Sequence, residues 1–233
     1  SPASSAVLLD PEYGIANTIQ SGALSGKTGM IATVDESGYK GDQYARKTNL
    51  LADWGVAKAC LAGADGIKLL VYYHPDAPTA PEIETLVQQV AEECKQHDMA
   101  MFLESRAYSL SRSSNKLSPE DRHRVVIETA RRLTPLGADV FKAEFPMDIA
   151  SDVTQAVWSK ACSDLSLSSV IPWVLLSGKA GFEIFLRQVT IACEEGASGV
   201  AVGRAVWQEA ANMEGEARSH FLQNTVYERM ERL

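Results

Sequence analysis

Three phrases recur along the chain, each just ahead of a short apolar run: AGADGIK at 62–68, LGADVFK at 136–142 and EGASGVA at 195–201. Each closes an amphipathic segment at a glycine and turns at once into a strand, as a short helix-to-strand loop requires. Candidate strands stand at Ser5–Asp10, Gly29–Asp35, Gly66–Tyr73, Ala100–Ser105, Ala138–Glu144, Pro172–Ser177 and Gly199–Gly203. Amphipathic segments lie between them at Tyr44–Leu61, Pro81–His97, Pro119–Leu133, Asp152–Cys162 and Gly181–Glu195, and a last helix runs through the C-terminal segment. Strands alternating with helices at this spacing predict βαβ units and a parallel sheet. The recurrence adds the expectation of an α/β TIM (β/α)8 barrel built from repeated units.

Two helix starts carry capping signals, Thr79 with Glu82 around Pro81 and Ser118 with Asp121 around Pro119. The strand count is seven, and only a few residues precede the first. The expectation is therefore a single barrel domain over 1–233 without its N-terminal strand and helix. A chain of 233 residues, 45% hydrophobic, is long enough to bury a full core.

Charge narrows the partners. A net charge of −8 disfavours a general nucleic-acid or anionic-membrane binder, so an anionic ligand needs a local basic pocket inside a negative shell. No apolar run reaches the roughly 18 residues of a membrane-spanning helix. The four cysteines, Cys60, Cys94, Cys162 and Cys193, are far apart, fall in predicted helices and read as buried thiols of a reducing, cytoplasmic compartment.

In a barrel, chemistry gathers at the C-terminal ends of the strands. Those ends present Asp10 and Glu12, Asp35 and Glu36, Lys68 with Tyr72, Glu104 with Arg106, Lys142 with Glu144, Ser177-Gly178 and Gly203-Arg204. Strand alternation points Val140, Lys142 and Glu144 one way and Phe141, Ala143 and Phe145 the other. Two readings of Lys142 stand side by side. One is an interior ion pair with Glu144 or Glu104, because an unpaired buried ammonium is costly. The other is a nucleophile: a desolvated amine beside a second cation, here Lys68, loses proton affinity and attacks a carbonyl as the free base.

The histidines (His74, His97, His123 and His220) form no zinc-binding pattern, and no metal or other cofactor is expected. LLSGKAGFE and VAVGRAVW place Ser177, Gly178, Gly203 and Arg204 where turns after the last two strands hold phosphate in many barrels. Asp10, Arg106 and Glu144 join them as substrate-binding candidates. The tryptophans, Trp54, Trp158, Trp173 and Trp207, read as core.

Taken in order, SSAVLLDPEYG, GADGIKLLVYY, MFLE, GADVFKAEFP, VLLSG and GASGVAVGRAVW resemble the class I tagatose 1,6-bisphosphate aldolase family, which includes the sulfofructosephosphate aldolases. The resemblance implies a (β/α)8 barrel that cleaves a ketose phosphate through a lysine Schiff base, without a metal. By position it implies Lys142 as the Schiff-base lysine, Lys68 as a second active-site lysine and Glu104 as the proton-transferring glutamate; Glu144 stands as a second choice for that proton transfer on its own chemistry, not by the resemblance. It also implies Ser177, Gly178, Gly203 and Arg204 as the phosphate turns.

LLDPEYG is closer to the tagatose branch. Two features depart from the family: the chain lacks its aspartate-containing first-strand phrase, and SRAYSLSR brings Arg106, a cation able to meet a second phosphate, a sulfonate or a carboxylate. The partner implied is a phosphorylated ketose, and a homo-oligomer is expected. Two rival readings are a phosphosugar isomerase or decarboxylase using Lys142 only as an electrostatic clamp, and a non-catalytic sugar-phosphate sensor.

Overall fold

The computed structural model describes residues 4–148, 154–178 and 180–233. In chain order its elements are β1 (Ala6–Leu9), α1 (Ala16–Ser21), β2 (Gly29–Thr33), β3 (Lys40–Asp42), β4 (Ala45–Lys47), α2 (Val56–Leu61), β5 (Gly66–Tyr73), α3 (Ala80–Gln96) and β6 (Ala100–Ala107). There follow α4 (Pro119–Leu133), β7 (Val140–Ala143), α5 (Gln155–Ser168), β8 (Trp173–Leu176), α6 (Phe182–Glu194), β9 (Gly199–Ala201), α7 (Arg204–Trp207), α8 (Gly215–Gln223) and α9 (Thr225–Arg232).

Seven of the strands form one sheet in the order β1-β2-β5-β6-β7-β8-β9, every pairing parallel. Neighbours in the sheet follow one another along the chain, so crossovers of one hand put every connecting helix on the same face. The other face is left to line the interior, which is the topology of a partial (β/α) barrel. Among the described residues, β1 and β9 each pair on one side only.

The recurring phrases now have a physical cause. Gly63, Gly137 and Gly196 take φ of +84°, +105° and +106°, left-handed values that glycine adopts without a Cβ penalty. The aspartate two residues on then braces the previous strand. Asp65 Oδ2 accepts the Met30 N–H at 2.8 Å, and Asp139 Oδ2 accepts the Met101 N–H at 2.7 Å. In the third phrase Ser198 stands at that place and only its N–H bonds back, to the Trp173 carbonyl at 2.8 Å. One short loop thus reverses the chain and sets the register of the next strand.

Side-chain alternation separates two faces. Ile67, Leu69, Val71 and Tyr73 of β5 are buried with Ile83, Val87 and Val90 of α3 in the main core. Lys68, Glu104 and Lys142 occupy the alternate positions and face inward. Gly66 sits on that inner face because a Cβ there would meet the Phe102 ring at 3.2 Å.

Several expectations need correction. Only Val56–Leu61 of the segment Tyr44–Leu61 is α-helical; the hairpin β3–β4 and a connecting stretch take the rest. Asp42 Oδ1 captures the Tyr44 N–H at 2.8 Å and Gly41 has φ +80°, so local turn chemistry overrides the helical pattern. Ser118 caps α4 as expected, its Oγ accepting the Asp121 N–H at 3.1 Å. Thr79 makes no such bond, because its backbone is already helical (φ −87°, ψ −4°) and turns the hydroxyl away from the free N–H groups. The expected start of the fifth helix at Asp152 lies outside the described residues.

Cys193 of α6 and Trp207 of α7 are exposed rather than core residues. Cys94 and Cys162 are buried, and burial pushes both thiols up to about 12, where they are inert.

Candidate functional site

The central strands carry the polar interior. Parallel pairing sets Glu104 of β6 beside Lys142 of β7, and Lys68 of β5 beside Phe102 of β6. Lys142 Nζ donates to Glu104 Oε2 at 2.6 Å, the short distance of a charge-assisted bond. Of the two carboxylates available to Lys142, it is Glu104 that pairs with it. The pair stands where the barrel interior opens toward the strand ends, with the lysine side chain 15% exposed.

Lys68 sits in a tighter frame. Its Nζ donates to both carboxylate oxygens of Asp35 at 3.0 Å and to Thr33 Oγ1 at 3.3 Å, and its side chain is 9% exposed. Asp35 is itself held by the Leu70 N–H and the Thr33 hydroxyl, each at 2.8 Å. Thr33 and Asp35 lie two apart on the strand end TVD and so share a face, which is the signal that marks them in the sequence. Their partner, 33 residues away, is not written there.

Glu144 is committed to a third arrangement. Its Oε2 accepts the Ala107 N–H at 2.7 Å, while Arg106 Nε lies 3.4 Å and Arg122 Nη2 3.7 Å from Oε1. Arg122, reaching in from α4, also donates through Nε to the Phe145 and Met147 carbonyls at 3.2 and 3.3 Å. Glu144 therefore ties β6, β7 and α4 together. Arg122 went unnoticed in the sequence because it lies among other charges on an amphipathic helix.

The two turns after β8 and β9 meet. Gly203 N–H donates to Ser177 Oγ at 3.0 Å, and among the described residues the Ser177 hydroxyl proton has no acceptor. A small cavity of about 110 Å³ runs from Gly178 to Glu144 and is bordered by Arg122 and Gln188. Among the described residues, no atom beyond its chain neighbours lies within 4 Å of a Cβ placed on Gly178. Arg204 is exposed and has no ion pair among the described residues. Asp10 stands apart in role: its Oδ1 accepts the Tyr13 N–H at 2.7 Å and caps the helical turn Pro11–Ile15.

Among the described residues, no three His, Cys, Asp or Glu side chains group as a metal site, and no helix is long and apolar enough to cross a membrane. His74, beyond the end of β5, is buried, and burial pushes its imidazole below the ordinary histidine range.

The interior therefore holds two lysine–carboxylate pairs and a glutamate between two arginines, a set able to form and protonate a carbinolamine at Lys142. Comparison with known proteins identifies the family. The model of the DeoC/LacD family aldolases matches residues 1–209. The chain is 31% identical to tagatose 1,6-diphosphate aldolase 1 of Streptococcus pyogenes serotype M1 over 230 residues, 88% of this chain and 68% of that protein. It is 28% identical over 226 residues to tagatose 1,6-diphosphate aldolase 2 of Streptococcus mutans serotype c, 88% of this chain and 67% of the relative.

Among solved structures, an archaeal fructose 1,6-bisphosphate aldolase superposes with a TM-score of 0.64 at 20% identity, over 97% of this chain and 79% of that one. An archaeal fructose-1,6-bisphosphate aldolase with its catalytic Lys covalently bound to the carbinolamine intermediate of the substrate gives a TM-score of 0.61 at 20% identity, over 97% and 78%. These structures share the barrel fold.

Proposed function

Because the chain belongs to the DeoC/LacD family of aldolases, we propose that it is a metal-independent class I aldolase in which Lys142 forms a Schiff base with a ketose phosphate. The observation that carries this reading is the 2.6 Å contact between Lys142 Nζ and Glu104 Oε2 at the inner ends of β7 and β6. It gives the amine a partner within reach of every proton the reaction must move.

Glu104 takes a proton from the ammonium, and the free amine attacks the C2 carbonyl. Glu104 returns the proton to the carbinolamine oxygen, water leaves, and an iminium remains. The carboxylate then takes the C4 hydroxyl proton as the C3–C4 bond breaks. The bonding electrons pass into the iminium, giving an enamine, and the aldehyde departs. Protonation at C3 and hydrolysis release dihydroxyacetone phosphate and restore Lys142.

The Lys68–Asp35 pair is close to neutral as a unit, so its role in this reading is to shape the floor beside Glu104 rather than to act as a bare cation. Ser177, Gly178, Gly203 and Arg204 hold the C1 phosphate and fix the carbonyl against the amine. Glu144, braced by Arg106 and Arg122, positions the ends of β6 and β7. The substrate assigned is tagatose 1,6-bisphosphate or a close ketose bisphosphate, on the strength of the relatives' names. The compartment assigned is the cytoplasm, in keeping with the free thiols.

Borohydride reduction in the presence of dihydroxyacetone phosphate, followed by peptide mass mapping, tests the proposal. An adduct on Lys142 is expected. An adduct on Lys68 would keep the chemistry and move the nucleophile. No adduct in a protein that binds the phosphate would favour the electrostatic clamp.

A further inference from the structure

The hairpin β3–β4 brings a second arginine site to the mouth of the barrel. Arg46 stands on β4, half-buried, with its guanidinium carbon 4.3 Å from the centre of the Tyr39 ring, 4.7 Å from Tyr108 and 5.7 Å from Tyr72. Tyr39 and Tyr72 pack edge to face at 5.3 Å. Tyr72, the penultimate residue of β5, lies on the same inner face as Lys68, and its register partner on β6 is Arg106, two residues beyond Glu104. The stack thus lies over the same side of the barrel as the lysine pairs, nearer the open end.

The chemistry of this cluster is unusual for a structural arginine. Arg46 Nε donates to the Gln43 carbonyl at 3.1 Å, but among the described residues neither terminal nitrogen has a hydrogen bond or a carboxylate partner. Aromatic rings occupy the face of the guanidinium and hold it flat, which leaves its in-plane N–H fork for an anion. Tyr108 is 3% exposed, and its hydroxyl is a buried polar atom without a partner among the described residues. A buried hydroxyl in that state is rare in native proteins, and it gives the cluster a second polar group able to meet a ligand. Arg106, the neighbouring cation, is already engaged by Glu144 at 3.4 Å.

We propose that Arg46, held by Tyr39, Tyr72 and Tyr108, binds the anionic group at the end of the substrate remote from the C1 phosphate, and so selects doubly charged sugars over monophosphates. This deepens the aldolase reading and rests on it for the orientation of the sugar. Arg106, expected from the sequence to meet that group, instead orders Glu144 and contributes only its long-range field.

The test uses ligands that bind without reacting. Affinities of a hexitol 1,6-bisphosphate and of the matching hexitol 1-phosphate, neither of which has a carbonyl, are measured by calorimetry on the wild type, Arg46→Gln and Arg46→Lys. Arg46→Gln should weaken the bisphosphate by about 30–100-fold and change the monophosphate by less than about threefold. Arg46→Lys, keeping the charge without the planar fork, should fall between. Equal weakening of both ligands, no weakening of either, or a wild type that binds the two alike would overturn the proposal. Thermal melts of each variant exclude unfolding as the cause. Borohydride trapping of the wild type separates the two levels: discrimination through Arg46 without an adduct on Lys142 retains this site and removes the aldolase reading.

Discussion

The two buried lysines of the barrel interior are built differently. Lys68 is bound by both oxygens of Asp35 and by Thr33, and Asp35 is fixed by a backbone N–H from the lysine's own strand. Lys142 has the single bond to Glu104 and is the more exposed of the two. An ammonium with three fixed acceptors gives up a proton or changes position only at the cost of breaking all three. One with a single bond needs to break only that bond to turn toward a ligand. The contrast separates a cation tied into the scaffold by three bonds from one held by a single bond, although both sit on inner-face positions of the same sheet, on β5 and β7 either side of β6.

The most drastic way to break the comparison is to remove each lysine in turn. Lys142→Met should lower turnover by on the order of 10⁴-fold or more and abolish the reduced adduct, because a nucleophile has no substitute in the site. Lys68→Met should slow turnover yet leave the adduct on Lys142. Mass mapping of both variants after borohydride treatment decides the matter. Adducts that vanish equally in the two variants would mean the lysines act as one unit.

A second, smaller effect separates their partners. Asp35→Asn leaves the Lys68 ammonium buried with a neutral neighbour, and loss of one member of a buried pair costs about 3–5 kcal/mol. In a chain of this length that lowers Tm by on the order of 10 °C. Glu104→Gln should cost clearly less, since Lys142, the more exposed of the two lysines, can draw on solvent at the barrel mouth. The double variant Asp35→Asn/Lys68→Met should recover most of the loss, which a purely steric effect at residue 35 would not allow. Equal melting points for Asp35→Asn and Glu104→Gln would erase the distinction between the two sites.

The sequence states one half of this contrast more openly than the other. Lys142 and Glu144 are two apart on a short strand, and the GAD phrases place that strand, so the inner face of β7 is legible from alternation alone. Three of the seven parallel strands, β5, β7 and β9, follow from these phrases, because each combines a left-handed glycine with a residue that bonds back to the preceding strand. The pairings themselves are non-local. Lys142 meets Glu104 across 38 residues and Lys68 meets Asp35 across 33, so only the folded register decides which carboxylate serves which lysine. Glu144 was an equally good partner for Lys142 by sequence until Arg106 and Arg122 claimed it. The hairpin was hidden for a different reason. Its turn depends on one side-chain bond, from the Tyr44 N–H to Asp42, which a pattern of apolar spacing does not register. Arg46 was hidden with it.

The finest of the expected effects concerns the rim, where His74 lies 6.0 Å from the Tyr108 ring. Burial is the main cause that lowers its proton affinity; Arg124 adds to the lowering, while Asp76 and Asp121 oppose it. A histidine depressed in the folded state binds its proton more readily when the chain is unfolded. Its contribution to stability is therefore complete above the unfolded value of about 6.5 and is lost as pH falls through the folded value. Asp76, lowered mainly by its hydrogen bond with Arg124, follows the same sign but titrates in the carboxylate range, well below this window. Between pH 7.5 and 5.5 the wild-type Tm should therefore fall more steeply than that of His74→Asn, which has no imidazole to protonate. The difference is small, because each kcal/mol moves Tm by only about 2–4 °C in a protein of this size. Parallel slopes for the two proteins would show that His74 is protonated with the same ease folded and unfolded. The rim beside Tyr108 would then be wetter than its burial implies, and the contrast between a closed scaffold lysine and an open reactive one would have to rest on the two ion pairs alone.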